Sequence, residues 1–231
     1  MLKTFNHIHI KALLVAALLA APGTASADRY EISVGTTARH LHSTTVDVVS
    51  PNDRHTMFSM TVGAELDRQL LKTGIQVELG FEAGSIEGKI YDRMRSDTTL
   101  ETGTVGARLR WDLGSGLYGF GRAAIGVSRV HFELRDSFGS SFIRDRGYAG
   151  VFDTGGGFDY VLVRDKRRRK GGFSMGLRLD MGYTAASPVN LEAKPGRLMQ
   201  EGAISIPTTA ADLGSLNTSS WNFRLALVAR F

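Results

Sequence analysis

The sequence predicts an all-β protein: a transmembrane antiparallel up-and-down β-barrel of eight strands. Three observations predict it. The last twelve residues, S-W-N-F-R-L-A-L-V-A-R-F, keep a strict period of two and end on Phe231, as a strand with one apolar and one polar face does. The connections between the alternating segments are long and short in strict turn, an asymmetry typical of membrane barrels. From Asp28 onward no apolar run approaches the ~20 residues of a helical span. A passage through hydrocarbon must then be made by a closed sheet, which leaves no backbone group unpaired.

Residues 1–27 read as a cleaved export signal. Lys3 and Lys11 flank a basic leader, residues 12–21 are an unbroken apolar run, Pro22 and Gly23 end it, and Ala25-Ser26-Ala27 supplies small residues for cleavage. Residues 28–231 then form one barrel domain. The chain has no Cys, which removes disulfides, thiolate chemistry and a lipid-modified cysteine. Its formal charge of +5 includes Lys3 and Lys11. The remaining excess is small and dispersed, so no nucleic-acid partner is expected.

Strand one alternates Tyr30, Ile32 and Val34 with Glu31, Ser33 and Gly35. Residues 39–54 are a polar loop with a Ser-Pro-Asn-Asp turn signal. Strand two sets Phe58, Met60, Val62, Ala64 and Leu66 against Ser59, Thr61, Gly63 and Glu65. A short turn, 67–73, leads to strand three, where Ile75, Val77, Leu79, Phe81 and Ala83 oppose Gln76, Glu78, Gly80, Glu82 and Gly84. Residues 86–98 read as a charged loop. Strand four turns Val105, Ala107, Leu109 and Trp111 outward and Thr104, Gly106, Arg108 and Arg110 inward. D-L-G-S-G at 112–116 is a tight turn. In strand five Ala123, Ile125 and Val127 share one parity and Phe120, Arg122 and Ala124 the other. Residues 130–147 read as a second charged loop. Strand six, about 148–163, places Phe152, Phe158, Tyr160 and Leu162 outward, with Asp153, Gly155, Gly157 and Asp159 inward. After a basic turn at 164–172, strand seven shows Phe173, Met175, Leu177, Leu179, Met181 and Tyr183 outward and Arg178 and Asp180 inward. Residues 185–219 read as one long loop. The final strand carries Phe223, Leu225, Leu227, Ala229 and Phe231 against Arg224 and Arg230.

Aromatic residues gather at the strand ends: Tyr30, Trp111, Tyr160, Phe173 and Phe231 at one rim, Phe58, Phe81, Tyr148, Tyr183 and Trp221 at the other. Such rings favour the headgroup zone. The inward parity collects six acids, Glu31, Glu65, Glu78, Glu82, Asp159 and Asp180, and six bases, Arg108, Arg110, Arg122, Arg178, Arg224 and Arg230. An eight-stranded barrel is about filled by its own side chains, and an unpaired buried charge costs several kcal/mol. The expectation is an ion-pair network that plugs the lumen, with Glu31 and Asp180 as partners for Arg230 and Arg224. A polar lumen that passes small solutes is the alternative.

Elsewhere the chemistry is sparse. The cluster 165–170 is a solvated turn facing anionic headgroups. The cations Lys89, Arg93, Arg95, Arg129, Arg135, Arg144 and Arg146 are placed to meet lipopolysaccharide phosphates, but acids interleave with them and a mixed surface fits equally. His131 with Asp136 and Ser137, or His42 with Ser43, shows no diagnostic catalytic spacing, so no enzyme is expected, a rim hydrolase being the less favoured alternative. His40 and His42 lack a third ligand. No metal and no cofactor is expected.

The chain resembles the small eight-stranded outer-membrane proteins, the OmpA transmembrane domain and OmpX among them. The resemblance covers residues 28–231. It implies an outer-membrane location, a monomer, contact with outer-membrane lipids including lipopolysaccharide, and delivery by the barrel-assembly machinery. Phe223, Leu225, Leu227 and Phe231 match the terminal assembly signal of such families. Ala229 departs from it, since an aromatic residue is common there.

Overall fold

Each of the period-two segments is a strand in the computed structural model, which describes residues 27–41, 54–66, 74–90, 94–136, 141–164, 172–193 and 211–231. The strands are β1 (Ala27–Leu41), β2 (Arg54–Leu66), β3 (Gly74–Ile90), β4 (Met94–Gly114), β5 (Leu117–Asp136), β6 (Ser141–Arg164), β7 (Ser174–Ala186), β8 (Val189–Ala193), β9 (Ala211–Leu216) and β10 (Ser220–Arg230). Eight of them close a barrel in the order β1-β10-β7-β6-β5-β4-β3-β2, and β8 pairs with β9 apart from it. Every described pairing is antiparallel. Apart from Ala27, the segment read as an export signal lies outside the described residues, as do the turns 67–73 and 165–171.

Closure is made by the last strand. β10 pairs with β1 from Glu31↔Arg230 to Leu41↔Ser220. Tyr30 N donates to Phe231 O at 3.3 Å and Phe231 N to Tyr30 O at 3.0 Å, which extends the seam to the final residue. The seam is tight: a Cβ on Gly35 would lie 2.0 Å from the Leu225 carbonyl oxygen. Ala229 sits in the outward row between Ile32 of β1 and Met175 of β7. At the same lower end, β4 turns into β5 through three left-handed residues, Gly114 (φ 91°), Ser115 (φ 53°) and Gly116 (φ 79°). The two glycines carry this backbone without a Cβ penalty, and the Asp112 carboxylate accepts from Gly114 N at 2.8 Å.

The outer face is apolar over a belt. Val77, Leu109, Ile125, Phe158, Leu179 and Leu225 are all exposed there. Aromatic rings border the belt: Phe173 and Phe231 pack 5.5 Å apart at the lower rim, and Tyr183 meets Trp221 edge-on at 5.2 Å at the upper rim.

Three segments differ from the sequence expectation. Residues 86–98 and 130–147 are largely strand, not loop: β3 with β4 and β5 with β6 run on as hairpins to Ile90↔Met94 and Arg135↔Ser141. β4, β5 and β6 are 21, 20 and 24 residues long, about twice the ~9–11 residues of a tilted membrane span. Above the belt their polarity inverts. Glu101, Arg129, His131 and Arg146 take outward positions, partly or fully exposed, while Leu100, Val130, Phe132 and Ala149 turn inward and are buried. Most of the described charges that suggested loops lie on the solvated face of ordinary water-exposed strands, while Glu133 and Asp145 are buried. Residues 185–219, also read as loop, contain the β8–β9 hairpin. It folds over the upper mouth and adds Val189, Leu191 and Leu216 to a buried cluster with Leu41, Met57, Ile86, Leu100, Val130, Phe132 and Ala149. This apolar cap is a second core, and burying it holds the hairpin down.

The cap's seat on β6 is narrow. An ideal Cβ at Gly147 would lie 2.0 Å from Val189 Cγ1. Gly147→Val is therefore expected to displace the hairpin. The barrel should stay folded, while limited proteolysis between residues 189 and 216 becomes severalfold faster.

Candidate functional site: the charged lumen

Inward positions at the level of the belt carry two knots of ion pairs. The lower knot joins β1, β3, β4, β6, β7 and β10. Arg178 Nε donates to Asp159 Oδ1 and Arg178 Nη2 to Glu31 Oε1, both at 2.7 Å. Arg108 Nη1 donates to Glu31 Oε1 at 2.9 Å and its Nη2 lies 2.5 Å from Glu78 Oε2. Arg230 Nε reaches Glu31 Oε2 at 2.8 Å, and Nη2 reaches Asp159 Oδ2 at 2.5 Å. Arg110 stands 3.7 Å from Asp159 Oδ2, and its guanidinium lies 3.7 Å over the Tyr118 ring. Phe120, 1% exposed, floors the knot, with Arg108 and Arg178 at 4.9 and 5.2 Å from its ring centroid.

The upper knot is built on two bridging arginines. Arg122 Nη1 donates to Asp153 Oδ2 at 2.8 Å and Nε to Asp180 Oδ2 at 2.6 Å. Arg224 Nε donates to Glu82 Oε1 at 2.6 Å and Nη2 to Asp153 Oδ2 at 2.8 Å, with Nη1 3.5 Å from Asp180. Arg39 of β1 pairs with Glu82 as well. Thr37 and Thr184 hydroxyls donate to Glu82 and Asp153 at 3.2 Å. Each acid of the upper knot thus faces more than one donor, which is what keeps a buried carboxylate tolerable.

Inward parity placed most of these side chains, and the expected neighbours Arg230–Glu31 and Arg224–Asp180 do pair across adjacent strands, but other partners do not follow adjacency along the sheet. Glu78 does meet Arg108 on the next strand. Glu82 instead reaches across the lumen to Arg224 and Arg39, and Arg110 turns to Asp159. The narrow bore of an eight-stranded barrel puts opposite walls within one side chain's reach. Two members were missed. Asp153 has the inward parity but lies outside the charge set named above, and Arg39 falls in the stretch that reads as a loop, although β1 runs through it to Leu41 and buries it to 2%. Its alternation with Thr37 and Leu41 was the available signal. Glu65 is half-buried towards the lower end of β2, opposite Gln76. With both missed members added, the inward set is seven arginines and seven carboxylates, Glu65 being the one acid placed below the knots. The two knots hold seven arginines and six carboxylates.

Of the catalytic candidates, Ser137, His42 and Ser43 lie outside the described residues. His131 is above the belt, and its Nδ1 accepts from Arg146 Nε at 3.4 Å. Partial burial, then the charges of Arg146 and Arg144, push its pKa below the ordinary histidine value. His131 should therefore titrate below the unfolded reference of ~6.5, and Arg146→Gln should move its midpoint upward; an NMR pH titration of the ring protons measures both. The linkage has a definite sign. As pH falls through ~6.5 the unfolded chain takes up this proton first, so the folded state loses stability there. Among the described residues no group of three His, Cys, Asp or Glu side chains is arranged to hold a metal ion.

The fold defines a class: the small, closed, eight-stranded antiparallel barrel with a charged lumen. No protein-family model and no curated protein matches the chain. Among solved structures it is similar to Neisserial surface protein A (11% identity, TM-score 0.49, covering 88% of this chain and 96% of that one). It is also similar to Ail, the attachment invasion locus protein of Yersinia pestis (11% identity, TM-score 0.48, covering 88% and 98%). A third likeness is to a major outer membrane protein from Thermus thermophilus (12% identity, TM-score 0.48, covering 87% and 99%). The barrel itself is established by the chain's own strand pairing.

Proposed function

We propose that this chain is a non-enzymatic barrel of the bacterial outer membrane with a structural or surface-interaction role, its lumen plugged by the ion pairs. The observation that carries the reading is the part that stands above the belt. Residues 84–90 of β3 pair with β4 but not with β2, and residues 141–150 of β6 pair with β5 but not with β7. The upper halves of β3, β4, β5 and β6 thus form a four-stranded sheet that projects past the barrel rim. A rigid, water-facing sheet on a membrane anchor is a platform for contact rather than a conduit. The aromatic rims and apolar belt support the membrane setting, with the lower end periplasmic and the upper end outside the cell. Its lipid neighbours then include lipopolysaccharide, and its terminal strand, through Phe223, Leu225, Leu227 and Phe231, addresses the assembly machinery.

An epitope inserted at residues 137–140, the tip between β5 and β6, tests this. It should be detected on intact cells, and the protein should fractionate with outer membranes and migrate differently before and after heating. A soluble periplasmic product would overturn the reading. In planar bilayers the plugged lumen should give no steady conductance, and reproducible channels would favour a narrow pore instead.

A further inference from the structure

The first charged rows above the belt lie on the outer face of β5 and β6. Val127 opposite Gly150 is the last uncharged row, and Arg129 opposite Tyr148, then His131 opposite Arg146, follow it. We propose that these four side chains bind a phosphomonoester on the headgroup of an outer-leaflet glycolipid, with Arg146 and Arg129 as the principal donors. The inference rests on the outer-membrane reading above and adds a defined lipid site to it.

Height is the first support. A strand rises about 3.4 Å per residue, and a tilt of about 40° leaves roughly 5 Å per outward row. The two rows therefore stand about 5 and 10 Å above Val127, against a headgroup layer about 5–8 Å deep. Long arginine stems reach across the difference. Tyr148, 69% exposed, carries the amphipathic ring that such a boundary favours.

The second support is donors without acids. Arg146 Nε donates to His131 Nδ1 at 3.4 Å, and among the described residues no carboxylate lies within ion-pair distance of its guanidinium. Arg129 shares Glu101 at 3.3 Å, but its Nε is buried without an acceptor. Arg144, one row further out, is held by Glu133 at 3.0 Å. An arginine fork matches phosphate oxygens, and a phosphomonoester presents three of them. A zwitterionic phosphodiester headgroup would bring an ammonium into the same cationic patch.

His131 reports on the site. Around it stand Arg146 and Arg144 on β6, Arg129 and Glu133 on its own strand, and Asp97 and Glu101 on either side of the facing Thr99 of β4. A phosphate bound beside Arg146 favours the imidazolium.

The test uses the protein folded in neutral detergent, with lipid A carrying its phosphates and the same lipid A dephosphorylated as probes, and reads the His131 ring protons by NMR. Phosphorylated lipid A should bind about tenfold tighter than the dephosphorylated form, the worth of one charge-assisted hydrogen bond, and should raise the His131 midpoint. Arg146→Gln should abolish both the preference and the lipid-induced rise. Arg95→Gln removes a charge from the same outer face, two rows further out and paired with Glu87, and should keep both. Inorganic phosphate at the same concentration should leave the midpoint unmoved. Equal binding of the two lipids, an equal loss in Arg95→Gln, or inorganic phosphate as effective as the lipid overturns the proposal. Outer-membrane fractionation is scored separately: with it intact, these failures strike the lipid site alone, whereas a soluble product strikes the location first.

Discussion

Replacing Arg178 with leucine is expected to destabilise the barrel by about 3–5 kcal/mol, the range for breaking a buried ion pair from one side. Arg178 is 3% exposed and spans the lower knot, joining Asp159 on β6 to Glu31 on β1. Its loss leaves two carboxylates in a space with little water. Arg230 and Arg108 still touch them, so the penalty should stay within that range rather than exceed it. The leucine fills much of the same volume, which makes the loss one of charge compensation rather than a cavity. Urea unfolding in micelles measures it. The double variant Arg178→Leu, Asp159→Asn should be less destabilised than the sum of the two single changes, because the second change removes a charge that the first has stranded. Strict additivity would mean that the knot is not an energetic unit.

The second large effect concerns the outer face. Leu179 lies midway along β7, 46% exposed, between Leu225 of β10 and Phe158 of β6. If lipid surrounds this belt, Leu179→Arg should cost about 2–4 kcal/mol in vesicles, the value for a cation near the bilayer midplane. Ser85 is also exposed, but it sits in the projecting part of β3 opposite Thr99. Ser85→Arg should change stability by no more than about 0.5 kcal/mol, as an ordinary surface substitution does. The contrast between the two sites reads the membrane boundary directly. Equal, small effects would place both in water and refute the belt.

That boundary shows where sequence reasoning worked and where it stopped. The strands within the belt were legible because apolar-out, polar-in alternation at period two is a local signal. The same period continues above the belt in Val130, Phe132 and Leu134, set against Arg129, His131, Glu133 and Arg135. There the polarity is reversed, and read against a lipid-facing template the stretch looks like a charged loop. Val189 and Leu191 flanking Asn190 carry a similar short alternation in a segment dominated by prolines and small residues. Five residues of strand are too few to stand out without the core they cover.

The charged lumen divides in the same way. Parity alone turned Glu31, Glu78, Glu82, Arg108, Arg178 and Arg224 to the inside, because each side chain's face follows from its position along a strand. Parity could not say that Glu82 meets Arg224, 142 positions away along the chain, or that Arg39 belongs to the network. Those pairings depend on strand order, on the stagger of the closed sheet and on how far a guanidinium reaches across a narrow bore. The sequence by itself determined the barrel, the two faces of each membrane-level strand and the closing role of the segment that ends at Phe231, all consequences of local periodicity. Only the tertiary structure decided which charges neutralise one another, that Arg39 and Asp153 belong with them, and that an apolar cap packs at the upper end, since each of these is a relation between residues that closure alone brings together.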